Sequence, residues 1–356
     1  MKGESVIVIG AGLTGLNVGR LLEQRGLNVT ILEARDRLGG RIYTKESFNH
    51  TKIEMGATWL GPQHTQLMRL LEELGIEIFE QYMKGSSFFQ PFSTSPPQAV
   101  DLPAQHPNYR IQGGTHTLIE SLRKTLQKTT IHLNTPVLKL DFNASMVLVT
   151  TSDGVYKADK VISTLPPALL IHSIDLQPTL PDEVIEVMKN TQTWMRDSIK
   201  AGVVFQSAFW RAKNQSGTLF SNVGPLNESY DHTSNDNARF AMKGFINPAF
   251  STLPPEERKA NVIAQLISAF GAEAQKFSGY EELVWSNEKY TKGKDDSDLF
   301  PHQNNGHAIY QRTYHEGRFV LAGAETSPLF GGYMEGAVQS SVRVVEKIIQ
   351  QGAYVF

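Results

Sequence analysis

Val6 to Ile9 form an unbroken apolar, β-branched run closed by Gly10, the pattern of a parallel strand buried on both faces. Helical spacing follows from Leu16 to Gln24, ending at Gly26, and "LNVTILE" then reads as a second strand. The result is a β-α-β unit of about 30 residues whose crossover is expected to be right-handed. Further on, Leu67, Leu70, Leu71 and Leu74 recur three and four apart, which predicts a helix over 64–74 ended by Gly75.

The pattern then breaks. Residues 84–108 contain five prolines and little periodicity, so a loop or boundary is expected there. "THTLIESLRKTLQK" predicts another helix, and "TIHLN", "PVLKLDF", "MVLVTTSDGVYK" and "DKVISTL" predict short strands, with a hairpin turn at Asp153-Gly154. These strands resemble a β-meander inserted into an α/β sheet. From Pro166 to Leu283 strands and helices mix around a polar loop, "GPLNESYDHTSNDN". "RFVLAGAE" and "GGYMEGAVQSSVRVVEKIIQQ" restore the earlier strand-turn-helix order. The fold class expected is α/β, with a discontinuous Rossmann-like dinucleotide-binding domain over 1–75, 109–167 and 285–356. A mixed α+β substrate domain takes 76–108 and 168–284.

Composition narrows the chemistry. With 34 Lys and Arg against 36 Asp and Glu, the 356-residue chain has a net charge of -2, which gives no general attraction to nucleic acid. The absence of cysteine excludes disulfides, thiolate metal sites, a cysteine nucleophile and a flavin attached through sulfur. The ten histidines show no H-x-x-x-H or H-E-x-x-H spacing, so no metal is expected, and no G-x-S-x-G occurs. No apolar run reaches about 18 residues and the chain enters a strand soon after Met1. A cytoplasmic protein without a membrane anchor is expected.

Gly10, Gly12 and Gly15 stand as G-x-G-x-x-G between the first strand and the first helix, and Glu33 ends the second strand 18 residues beyond Gly15. The first glycine permits the tight turn, the second a close approach to a pyrophosphate, and the third close helix-strand packing. The helix start at Leu13 and Thr14 offers N–H groups to phosphates, and Glu33 offers an acceptor to ribose hydroxyls. This points to a dinucleotide without separating NAD from FAD.

The continuation "EARDRLGGR" resembles the segment that follows the ribose-binding acid in flavoprotein amine oxidases, phytoene desaturases and protoporphyrinogen oxidases. "GRFVLAGAETSPLFGGYMEGAVQSSVRVVEKI" resembles the C-terminal flavin segment of the flavin-containing amine oxidase family, the monoamine and polyamine oxidases. "EMGATWLGP", "RIQGGTHTLIESL", "NTPV", "VISTLPP", "SIKAGVVFQSAFWR" and Trp285 follow in the family's order. The resemblance implies non-covalent FAD held by Ala34, Arg35, Gly40, Arg41, Gly56, Ala57, Thr58, Trp59, Val137, Thr164, Trp285, Gly323, Ala324, Glu325, Gly332, Tyr333 and Met334, besides the glycine turn and Glu33. It implies that Arg41 offers a cation to the pyrophosphate. It makes Lys200 the lysine that holds a water against flavin N5, and Tyr333 one of two aromatic residues flanking the amine. The implied reaction takes a hydride from the α-carbon of a neutral amine, releases an imine, and returns electrons to O2 as H2O2.

Two departures stand out. Counting nine residues from Trp285, Lys294 replaces the cysteine that binds flavin covalently in the mitochondrial enzymes, and Asp295 replaces the second cage aromatic. Asp295 becomes a candidate contact for a substrate cation. The segment from Phe79 to Tyr109 is also much shorter than in the family, so an open, shallow site is expected, or one completed by a partner subunit of a homo-oligomer. Two other readings remain: a desaturase- or protoporphyrinogen-oxidase-like enzyme on an apolar substrate, and an FAD-binding protein without turnover.

Overall fold

The computed structural model describes residues 3–103, 106–291, 293 and 299–353. Strand Ser5–Ile9 pairs in parallel with Asn28–Leu32 on one side and Lys160–Ser163 on the other. Thr130–His132 extends this sheet beyond Asn28–Leu32; Phe319–Leu321 and the short antiparallel Thr313–Tyr314 extend it the other way.

Successive residues of a strand point to opposite faces, and this alternation divides the core. Val6, Val8 and Ile31 pack with helices Leu13–Glu23, Thr65–Glu73, His116–Thr125 and Met334–Ala353 through Leu16, Leu67, Leu118 and Val344. Ile7, Ile9 and Leu32 face the other way, onto Leu140, Val149, Leu170 and Val184. That second layer is the meander Val137–Asp141, Val147–Thr151 and Gly154–Ala158, with Asp175–Gln177 parallel at its edge. Thr151 pairs with Gly154, so the hairpin turn is Ser152-Asp153, one residue earlier than the sequence suggests.

A second sheet of seven strands runs in the order Gly279–Val284, Ile199–Phe205, Phe240–Ile246, Leu226–Asp231, Gln215–Ser221, Ser86–Gln90, Gln98–Val100. Ile199, Ala201, Val203 and Phe205 pack on helix Pro255–Phe270 through Val262 and Leu266. The alternate residues Lys200, Gly202 and Val204 therefore face away from that helix. Val204 meets Ile53, in the second strand of the hairpin Thr44–Glu46 and Lys52–Glu54, and Met55 just after it.

Two expectations are corrected. Residues 84–108 are not simply a loop, because Ser86–Gln90 joins the second sheet in parallel with Gln215–Ser221 and Phe88 packs edge-on against Phe270. The stretch read as a polar loop contains the strand Leu226–Asp231. Its polar residues hid it, since Glu228 lines the cleft rather than the apolar core. Among the described residues no helix is long and apolar enough to cross a membrane.

At Gly15 a Cβ would lie 1.9 Å from the backbone oxygen of Gly10. Backbone cannot yield as a side-chain tip can, so Gly15→Ala is expected to destabilise the fold by about 1–3 kcal/mol and to weaken dinucleotide binding. Urea unfolding and flavin retention on dialysis check both.

Candidate active site

A cleft of about 720 Å³ runs from the glycine turn to the inner face of the seven-stranded sheet. At one end Gly10 has φ +100 and its N–H donates to Leu32 O at 2.8 Å. Helix Leu13–Glu23 begins at Gly12 with no side-chain cap and no acid in its first turn. Its first N–H groups and positive dipole end are left for an anionic ligand. Glu33 is buried and aimed at the turn, with Oε2 accepting the Ala11 N–H at 2.8 Å and Oε1 the Arg35 N–H at 2.9 Å. Leu13, Thr14, Ala34, Arg35, Gly40, Val137, Thr164, Ala324, Gly332 and Met334 also line the cleft. These features fit a dinucleotide: backbone donors for phosphates, a carboxylate for ribose hydroxyls, and glycines where a side chain would intrude.

Five expected residues stand behind the wall instead of on it: Gly15, Gly56, Trp285, Gly323 and Glu325 are not among the lining residues. Trp285 is buried, its Nε1 donating to Met55 O at 2.6 Å. Glu325 is fully buried and binds Arg41 through two hydrogen bonds of 2.5 and 2.8 Å. Arg41 lines the cleft and also donates to Trp194 O at 3.1 Å. A buried carboxylate requires a partner, and Arg41 supplies it. The Glu325 side chain is thus committed to Arg41 rather than turned to the cleft.

The floor at the other end carries buried charge. Lys200 is 1% exposed, donates to Gly56 O, and holds its Nζ 4.4 Å from the centroid of Phe245. Burial pushes its amine down to about 8, against the opposing pull of the Glu54 carboxylate. Thr58 and Trp59 form the adjoining wall. Trp59 meets Tyr230 edge-on at 4.9 Å and donates to Gln81 Oε1 at 2.9 Å. Beside them lies Glu228, which accepts from Tyr230 Oη at 2.8 Å. Burial, with the Glu228 carboxylate, pushes the Tyr230 phenol up. Among the described residues Glu33 and Glu228 are the two carboxylates that line the cleft.

Tyr333 stands at the mouth, 41% exposed. His302 stacks near it at 5.5 Å and Trp194 at 6.1 Å, while His64 lies 6.2 Å away and meets Phe330 edge-on. Burial pushes His64 below the ordinary histidine value, and its Nδ1 accepts the Gly61 N–H at 3.1 Å. Lys294 and Asp295 lie outside the described residues. Among the described residues of the shortened segment 79–109, Asn108 alone lines the cleft.

Sequence reasoning missed Glu228, Phe245, His64, Phe330 and Trp194.

The model of the flavin-containing amine oxidoreductase family matches residues 13–97 and 89–349. The flavin-containing amine oxidase A of Sus scrofa is 26% identical over 452 aligned positions, spanning 97% of this chain and 84% of that protein. A probable flavin-containing monoamine oxidase A of Dictyostelium discoideum is 24% identical, spanning 96% and 97%. Among solved structures, putrescine oxidase bound to putrescine superposes with a TM-score of 0.85 at 22% identity, covering 98% of this chain and 99% of that one. Cyclohexylamine oxidase from Brevibacterium oxydans also gives 0.85, at 18% identity, covering 99% and 100%.

Arg41→Met would leave the Glu325 carboxylate buried without its cation, an expected loss of about 3–5 kcal/mol measurable by urea unfolding. A variant of unchanged stability that no longer retains flavin would instead put the Arg41 charge mainly on the ligand.

Proposed function

The chain belongs to the flavin-containing amine oxidoreductase family, and on that premise we propose that Lys200, Tyr333 and Glu228 divide the work of amine oxidation within this one cleft. The protein is an FAD-dependent oxidoreductase acting on an amine. The observation that carries the reading is the continuity of the cleft, from the uncapped helix at Gly12 to the buried amine of Lys200.

FAD, when bound, supplies the two-electron acceptor for the hydride leaving the α-carbon of the amine, and O2 takes the electrons up as H2O2. The first turn of Leu13–Glu23 binds the pyrophosphate and Glu33 the ribose hydroxyls. With no cysteine in the chain, the flavin carries no thioether. Tyr333, with Trp194, His302, His64 and Phe330 around it, presents aromatic surface to the amine. Lys200 holds a proton and a positive charge at the floor, where oxygen gains negative charge on reduction. Because Lys200 titrates near 8, that charge is present at neutral pH and lost as pH rises through 8. Glu228 receives a second cationic or hydrogen-bond-donating group at the far end of the substrate.

An apolar polyene would bring no cation or donor to the Glu228 carboxylate on the cleft wall, which counts against a desaturase-like reading. A silent FAD-binding protein makes a different forecast, since its flavin would not bleach with any amine.

In an anaerobic cuvette the FAD-loaded protein is expected to bleach with an amine from a panel of monoamines and diamines, and to recover in air with release of peroxide. Lys200→Met is expected to slow that recovery about 100-fold with flavin retained. Persistent colour with every amine, or unchanged recovery in the variant, would overturn the corresponding assignment. Glu228→Gln is expected to raise KM for diamines about 10-fold relative to monoamines, and an equal effect on both classes would remove the second contact.

A further inference from the structure

Lys200 has a buried neighbour that neither motif nor resemblance singles out. On the antiparallel strands Ile199–Phe205 and Phe240–Ile246, Lys200 pairs with Phe245 and Gly202 with Lys243. Residues two apart share a face, so both lysines rise from the side turned away from helix Pro255–Phe270. Gly202, directly opposite Lys243, carries no side chain, and a Cβ there would come within 2.3 Å of Ile53. Both lysines are 1% exposed.

Their contacts converge on one carbonyl and one hydroxyl. Each amine acts on the charge of the other. Lys200 Nζ donates to Gly56 O; Thr58 Oγ1 donates to the same carbonyl at 3.2 Å; Lys243 Nζ donates to Thr58 Oγ1. Lys243 Nζ also lies 4.3 Å from the centroid of Trp59. Lys200 lines the cleft, whereas Lys243 stands behind it.

Two ammonium groups this near to each other, both shut off from water, would each disfavour the other's charge. Glu54 is the carboxylate that acts on both, and it already accepts the Thr115 N–H at 2.6 Å and bonds to Thr44 Oγ1. Glu228 acts on Lys200, Arg110 adds positive charge near Lys243, His232 is held neutral by burial, and the phenol of Tyr230 stays protonated. Burial and the Lys200 charge push the Lys243 amine well below its ordinary value.

We infer that Lys243 is a positioning residue for Lys200: a neutral amine that accepts a hydrogen bond from the Lys200 ammonium, donates one to Thr58, and so holds the charge and the Thr58–Trp59 wall in place. The Lys200 ammonium then keeps its charge at the cleft because Lys243 supplies an acceptor that solvent cannot. The role in oxygen reduction rests on the proposed function of Lys200. The one-charge pair does not.

The test uses FAD-loaded Lys243→Met, Lys243→Gln and Lys200→Met proteins. An unfolded lysine holds its proton up to about pH 10.4, whereas at pH 9 both folded lysines are neutral. Unfolding at pH 9 therefore takes up a proton for each, and stability rises with pH there. Calorimetry across several pH values is expected to show one proton fewer taken up by Lys243→Met than by wild type. Equal uptake would mean that folded Lys243 is charged and would overturn the inference.

The second readout is the pH profile of oxygen reoxidation after anaerobic reduction. Loss of the acceptor is expected to move the midpoint at least about one unit to lower pH in Lys243→Met, while the amide oxygen of Lys243→Gln restores it. An unmoved midpoint in the Met variant, or no rescue by Gln, would reduce Lys243 to a packing residue and refute the positioning role. If Lys200→Met reoxidises like wild type, the proposed role of Lys200 fails, and the proton count alone decides whether the pair shares one charge.

Discussion

Removing a cation from water costs several kcal/mol unless the protein returns hydrogen bonds and opposite charge, and much of the architecture around the cleft meets that requirement. Three consecutive carbonyls show how. Met55 O accepts from Trp285 Nε1, Gly56 O from Lys200 Nζ, and Ala57 O from Thr115 Oγ1. One short segment thus joins the seven-stranded sheet, the region after its last strand, and the helix beginning at His116. Arg110 is treated alike, buried beside Phe79 and donating to the carbonyls of His232 and Thr233. Charge is admitted to the interior where backbone oxygen is already in place to receive it.

The same segment spans the two ends of the cleft. Ala57, Thr58 and Trp59 line the cleft between the glycine turn and the lysine floor, so whatever orders them acts on both. At the opposite wall, Glu335 in the first turn of Met334–Ala353 turns its carboxylate to the N–H groups of Gln66 and Leu67. That carboxylate caps the start of Thr65–Glu73, while the helix Leu13–Glu23 has no side-chain cap. Of these two helix starts, one is capped by an acid and the other is not.

Legibility in the sequence followed the range of the interaction. The glycine turn could be read because Gly10 needs positive φ and Gly15 faces a carbonyl five residues away. The helices were legible through their 3.6-residue period, and Lys200 through a resemblance carried by its flanking residues. Leu226–Asp231 was obscured because a strand facing a polar cleft lacks the apolar face by which strands are recognised. Ser86–Gln90 was obscured by the prolines that follow it from Pro91 on, which stand outside its ladder.

By itself the sequence determined the α/β class, the dinucleotide turn with Glu33, the family and its cofactor, since each is written in local backbone requirements or contiguous motifs. Tertiary structure alone decided that Glu325 is committed to Arg41, that Glu228 reaches the cleft, and that Lys200 and Lys243 converge on Gly56 O and Thr58 Oγ1. Arg41 and Glu325 lie 284 residues apart, Gly56 and Lys200 144, and Thr58 and Lys243 185. No local pattern encodes such pairs, because what brings them together is the burial of apolar faces elsewhere along the strands that carry them.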